Sequence, residues 1–158
     1  NRLTNYGVYD RWGFTDITGR KELLEQLIDR EVIVEREIIP SPLFGGKKFD
    51  VRVYVVNGIV PHFFARTNDF ENVITNWSQG GKVIHHPHTG LAEEIIEGIS
   101  NEAKKAARAF NSKLMGVDVM LDQIGNVPQV IELQSFTGFP DIRRFNLAKY
   151  LVESDFLG

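Results

Sequence analysis

The chain has no cysteine among its 158 residues, which excludes disulfides, thiolate nucleophiles and cysteine zinc sites. No run of about 20 apolar residues occurs and no signal-peptide pattern opens the chain, so neither a membrane span nor a secretory leader is expected. A large excess of one charge sign is missing too. A formal net charge of −3 gives no electrostatic reason to bind nucleic acid or an anionic membrane. Repeats and low-complexity segments are missing, and 42% hydrophobic with 25% charged residues is a globular composition. One soluble cytoplasmic domain is expected, with no nucleic acid and no membrane as partner. Because the first residue is Asn1 rather than methionine, the chain is expected to begin inside a longer polypeptide.

What is present is a pair of apolar, β-branched segments late in the chain. Gly116–Leu121 and Val127–Gln134 read as strands, and Asp122-Gln123-Ile124-Gly125-Asn126 between them has turn composition. With the turn centred near Gly125, Asp118 falls opposite Glu132, and Gln134 shares the face of Glu132. Like charges opposed across a sheet are destabilising unless a cation lies between them. Two carboxylates and an amide oxygen form an all-oxygen set that suits Mg2+. The plainer reading is a half-exposed hairpin with incidental acids on its solvent face.

Upstream, residues 1–17 read as a loop or short hairpin. Thr18 reads as the N-cap of a helix to about Arg30, with Leu23, Leu24, Leu27 and Ile28 at helical spacing. Glu31–Ile39 is expected as a strand, stopped by Pro40-Ser41-Pro42 and a flexible Phe44–Lys48 loop. Phe49–Val56 is the next strand. Asn57-Gly58 is the strongest short hairpin signal present, so Ile59–Ala65 should pair back on it. Pro61 requires that return strand to lie at an edge or to carry a bulge. Residues 66–89 read as a long loop with little regular structure, a length uncommon without a function. Leu91, Ile95, Ile96, Ile99, Ala103, Ala106, Ala107 and Phe110 mark an amphipathic helix capped by Thr89. After the late hairpin, Gly138 and Pro140 make a turn, and a last helix is expected over residues 142–152. Antiparallel strands with helices segregated around them define an α+β protein.

Several constellations have two readings. Asp50 and Arg52 share one strand face, either as a surface ion pair worth ~0–1 kcal/mol or as a nucleotide-hydroxyl acceptor beside a phosphate or carboxylate clamp. Gly80-Gly81 is a plain turn or a phosphate-wrapping loop. His85, His86 and His88 cluster as zinc ligands do, yet Pro87 interrupts them and no acidic cluster is near. Arg143 and Arg144 are solvated charges or contacts for a carboxylate or phosphate. No Ser/His/Asp arrangement has readable spacing, so nucleophilic catalysis has no support.

Taken in order, separate segments resemble the ATP-grasp superfamily, most nearly its ribosomal-protein glutamate ligase (RimK-like) and glutathione synthetase branch. Ile33-Val34-Glu35-Arg36-Glu37-Ile38 is similar to the family's hinge strand, whose backbone edge pairs with adenine. Lys48–Gly58 resembles its Asp-Ile-Arg strand and hairpin, and also the matching segment of tubulin-tyrosine ligases. Arg66-Thr67-Asn68, Thr75-Asn76 and Gly80-Gly81-Lys82 resemble the Arg-Ser-Asn and Gly-Gly loop near the phosphates. Gly116-Val117-Asp118 and Val130–Ser135 resemble the Gly-Val-Asp and Glu-x-Asn metal hairpin. No one motif is specific; their order over residues 31–142 is.

The resemblance implies an ATP- and Mg2+-dependent ligase, with Mn2+ as a substitute cation. ATP would phosphorylate a small-molecule or peptide carboxylate, and an amine would displace the acyl phosphate. Glu35, Arg36, Glu37 and Ile38 would meet the base, Asp50 and Asn76 the nucleotide, and Arg52 and Asn76 the reacting phosphate. Asp118, Glu132 and Gln134 would hold the metal. Catalysis of this kind rests on positioning and electrostatics, which fits the lack of a nucleophile. Three departures stand out: Gln134 replaces the usual Asn, Ile74 an Arg, and Arg36-Glu37 an acidic-aromatic pair. Tyr6-Gly7-Val8 reads as the remnant of a glycine-rich hairpin whose lysine would precede Asn1. The chain is therefore expected to be the C-terminal part of an ATP-grasp protein, with 1–39 a remnant of the first lobe and 40–158 the second lobe. Self-association is left open. A small-molecule kinase on the same scaffold, or a catalytically degenerate nucleotide-binding module, are the alternatives.

Overall fold

The computed structural model describes residues 6–10, 13–16, 33–36, 38, 43–69, 81–124, 126–135, 137–138, 141–142, 145–154 and 156. The chain divides into two compact units, Asn1–Ile39 and Pro40–Gly158. In the first, β1 (Tyr6–Asp10) pairs antiparallel with β2 (Gly13–Asp16) and with β3 (Ile33–Arg36), giving the order β2-β1-β3. Of the loop or short hairpin expected over residues 1–17, it is the hairpin that forms. The helix expected over residues 18–30 lies outside the described residues.

The second unit is built on a five-stranded antiparallel sheet of order β6-β5-β4-β7-β8. Its strands are β4 (Lys48–Val56), β5 (Ile59–Asn68), β6 (Lys82–His85), β7 (Leu114–Leu121) and β8 (Pro128–Gln134). Helix α1 (Glu93–Ala109) connects β6 to β7. A two-stranded ribbon, β9 (Asp141–Ile142) with β10 (Phe145–Asn146), leads into α2 (Leu147–Glu153). This is the α+β arrangement.

Alternation along β4 gives the sheet two faces of opposite character. Phe49, Val51, Val53 and Val55 are wholly buried and pack with Ile99, Ala103 and Ala107 of α1 and with Val117, Val119 and Leu121 of β7. Burying one such side chain stabilises the fold by ~1.5–3 kcal/mol, so this sheet–helix layer is the main support. Gly98 brings the helix close to β8: a Cβ there would stand 3.3 Å from Pro128 Cγ. Asp50, Arg52, Tyr54 and Val56 point to the other face. Its apolar end is closed by Tyr54 and Val56 against Leu147 and Leu151 of α2.

Four expectations are corrected or resolved here. Residues 66–89 are not one loop, since β5 runs on to Asn68 and Lys82–His85 add a strand to its free side. Thr89 is buried and does not cap α1; the N-cap is Ala92, without a side-chain bond, and Glu93 and Glu94 offset the helix dipole instead. The last helix starts at Leu147, where the Asn146 side chain accepts from Lys149 N. Pro61 sits in a bulge: β4 and β5 pair Tyr54 with His62 but Val56 with Ile59, so Val60 and Pro61 together face Val55.

Candidate functional site

Strand register gathers the polar side chains on the face turned away from α1. Asp50 pairs with Arg66, Arg52 with Asp118, Asp118 with Glu132, and Gly116 with Gln134. Asp118 and Glu132 oppose each other as expected, but by another route: the register from Leu121–Pro128 to Val119–Val130 would set Ile131 opposite Asp118, and the extra residue at Ile131 brings Glu132 there.

Arg66 holds Asp50 with both arms of its fork, Nε to Oδ1 at 2.6 Å and Nη2 to Oδ2 at 2.9 Å. The same Nη2 donates to Asp118 Oδ2 at 2.7 Å. From the other side Arg52 donates through Nε to Asp118 Oδ1 and through Nη2 to Oδ2, the latter at 2.7 Å. Arg52 Nη1 donates to Gln134 Oε1 at 2.8 Å, and Gln134 Nε2 donates to Glu132 Oε1 at 2.8 Å. The result is one chain of side chains, Asp50–Arg66–Asp118–Arg52–Gln134–Glu132, running across β5, β4, β7 and β8.

Most of it is out of water: Asp50 is 3% exposed, Asp118 2%, Arg52 and Arg66 8% each, while Glu132 at the end is exposed. Lone charges so placed would be very costly, and forked guanidinium–carboxylate pairing is the geometry that offsets the cost. Burial works against the charge on Arg66, but hydrogen bonds and attraction from Asp50 and Asp118 outweigh it and lift its pKa above the ordinary value. Two residues along β4, burial raises the Tyr54 phenol. The cation that the opposed acids require is supplied in the fold by Arg52. Asp50 and Arg52 are not a surface pair with each other; each binds an opposite charge on a neighbouring strand.

Arg66 was not foreseen as part of this cluster. A straight ladder from Asn57-Gly58 would set Ala65 opposite Asp50, and the extra residue at Val60–Pro61 moves Arg66 there instead. Pro61 was one signal for it, and the resemblance of Arg66-Thr67-Asn68 to the segment near the phosphates was another. Gly116 has a steric reason: an added Cβ would lie 2.7 Å from Thr137 Oγ1 and 2.9 Å from Thr137 Cβ, beside the Arg52 stem. Gly116→Ala should therefore cost on the order of 1–3 kcal/mol in urea unfolding. An unchanged midpoint would mean that the segment after β8 yields freely.

The histidine run does not converge on a common point. His85 turns to His62, with Nδ1 and Nε2 3.2 Å apart, while His86 packs on Phe63. Burial, aided by the nearby His85 and His86, holds His62 down at about 4, and its ring stacks on Phe145. Among the described residues no group of three or more His, Asp or Glu side chains is placed to hold a metal ion. Of the remaining candidates, Glu35 and Arg36 lie on β3, opposite Gly7 and Tyr6 of β1, and Ile38 follows it. Glu37, Asn76, Gly80, Arg143 and Arg144 lie outside the described residues.

No protein-family model matches the chain, and no curated protein matches it. Solved structures do. The L-amino acid ligase from Bacillus licheniformis matches with TM-score 0.58 at 22% identity, over 87% of this chain and 33% of that one. D-alanine–D-alanine ligase from Bacillus anthracis, complexed with ATP, matches with TM-score 0.58 at 15% identity, over 96% of this chain and 47% of the other. The ATP-grasp ligase PsnB, complexed with precursor peptide PsnA2 and AMPPNP, matches with TM-score 0.54 at 14% identity, over 87% and 39%. The fold is ATP-grasp. The chain spans less than half the length of each of these three proteins.

Proposed function

We infer that this chain carries nucleotide- and metal-binding elements of an ATP-dependent carboxylate–amine ligase, of the RimK-like and glutathione synthetase kind. The observation that carries the reading is the convergence of Asp118, Glu132 and Gln134 beside two buried arginines on the open face of an ATP-grasp sheet. Two carboxylates and an amide oxygen are the donors a hard cation takes, and the exposed Glu132 gives it access. Held by Asp118, Glu132 and Gln134, such a cation would supply charge neutralisation at the phosphates.

The protein groups have separate tasks. Arg52 clamps the transferring phosphate or the carboxylate being activated, with a fork shaped for either. Asp50 contributes to the nucleotide site through Arg66, whose guanidinium it orients. Glu35, Arg36, Glu37 and Ile38 meet the base, and Asn76 lies at the reacting phosphate, as the family resemblance implies. Substrates are an acid and an amine in amino-acid or peptide form. The names of the similar structures, an L-amino acid ligase and a ligase solved with a precursor peptide, support that class. PsnB has also been solved with Mg and ADP.

In the full-length protein, Glu132→Gln should lower ATP-dependent turnover by at least about 100-fold while leaving the circular dichroism unchanged. Turnover at the unsubstituted rate removes the metal assignment. Product analysis separates the chemistries: an amide with ADP and phosphate supports the ligase, and a stable phosphorylated acceptor without amide replaces it with a kinase.

A further inference from the structure

The two arginines occupy three of the four lone-pair positions of the Asp118 carboxylate. Its Oδ2 accepts from Arg52 Nη2 and Arg66 Nη2, each at 2.7 Å, and its Oδ1 accepts from Arg52 Nε. Gln134 gives its amide oxygen to Arg52 and its amide nitrogen to Glu132. Each of the three oxygen donors of the hairpin is thus tied to Arg52, directly or through one side chain. Asp118 Oδ2, accepting two N–H groups, has neither lone pair left for a metal, and Arg52 Nε takes one of the two on Oδ1.

We propose that Arg52 is the resident cation of this site, and that a divalent ion enters only as Arg52 leaves for an anionic ligand. The charge count fits. Asp50, Asp118 and Glu132 carry three negative charges against two on Arg52 and Arg66, a net of −1; without Arg52 the same cluster is −2, the complement of a divalent cation. The two arginines are not equivalent. Arg66 is anchored by Asp50 as well as by Asp118, whereas Asp118 is the carboxylate that Arg52 grips. Arg52 is therefore the group free to exchange. A phosphate group offers its guanidinium the same forked pairing it gives up at Asp118. Cation and nucleotide then favour each other's binding, because each takes over one half of the Arg52–Asp118 pair. The nucleotide half of this inference rests on the proposed function; the exchange of Arg52 for a cation does not.

The test uses Mn2+ alone, without nucleotide, on the protein that contains this chain. Free Mn2+ is followed by its electron paramagnetic resonance signal. Arg52→Met should bind Mn2+ at least 10-fold more tightly than the unsubstituted protein, and adding Glu132→Gln should abolish the gain. Should the methionine variant not fold, Arg52→Lys is read instead, since it keeps the buried charge but lacks the fork; it should gain at least 3-fold. Equal or weaker Mn2+ binding in the variant that folds overturns the proposal, as does a gain that survives Glu132→Gln. A protein that shows the gain yet binds no ATP keeps the role of Arg52 and loses the ligase.

Discussion

Replacing Arg66 by methionine should lower the unfolding free energy of the chain by about 3–5 kcal/mol, the largest effect expected of any single side chain in the cluster. The substitution removes both forked bonds to Asp50 and one of the three guanidinium bonds to Asp118, and leaves two buried carboxylates short of a counter-charge. Methionine fills much of the same volume, so the loss reports charge rather than a cavity. A matched control is Lys47→Ala. Lys47 bonds Asp69 at 3.1 Å, but those side chains are 43% and 75% exposed, and a pair of that kind is worth ~0–1 kcal/mol. Urea unfolding followed by circular dichroism compares the two at equal slope. A loss in Arg66→Met no larger than in Lys47→Ala would mean that Asp50 and Asp118 turn to water at little cost, and that the cluster does not support the sheet.

The second large effect is a loss of stability on mild acidification, centred on His62. Folded, this imidazole titrates at about 4, because burial and the neighbouring His85 and His86 disfavour its charge. Unfolded, it titrates near 6.5. Between those values the unfolded chain binds more protons, so stability is full above pH 6.5 and falls as pH drops towards 4. By pH 5 the loss from this group is about 2 kcal/mol. Acid acts on a whole chain rather than on one side chain, so the informative quantity is a difference. His62→Phe should show a shallower decline between pH 7 and 5 than the unsubstituted chain, and parallel curves would remove His62 as the cause.

Much of the second unit was legible because it depends on short-range rules. Alternation placed Phe49, Val51, Val53 and Val55 on one face and Asp50 and Arg52 on the other, whereas the pairing of Asp118 with Glu132 depends on the extra residue at Ile131 as well as on the turn. The α1 stripe was clear from its spacing, while its cap was misjudged because the chain turns at Thr89 and enters the helix three residues later. Strand β6 was hidden for another reason. Lys82–His85 is too short to show a period and exists as a strand through its pairing with β5. In the same way, the partners of Arg52 and Asp50 could not be read from β4 alone. Each is a cross-strand neighbour, fixed by the registers of β5 and β7, and no local pattern encodes those.

The doubled residue at Val60–Pro61 makes the site depend on a bulge as well as on the residues it aligns. Lay the ladder straight from Asn57-Gly58 with every residue kept, and Ala65 stands opposite Asp50 while Arg66 turns towards the valines and alanines under α1. Every residue of the cluster would still be encoded, and the cluster would not form. The doubled pair at Val60–Pro61 is therefore itself part of the site, because it decides which residues of β4 and β5 meet.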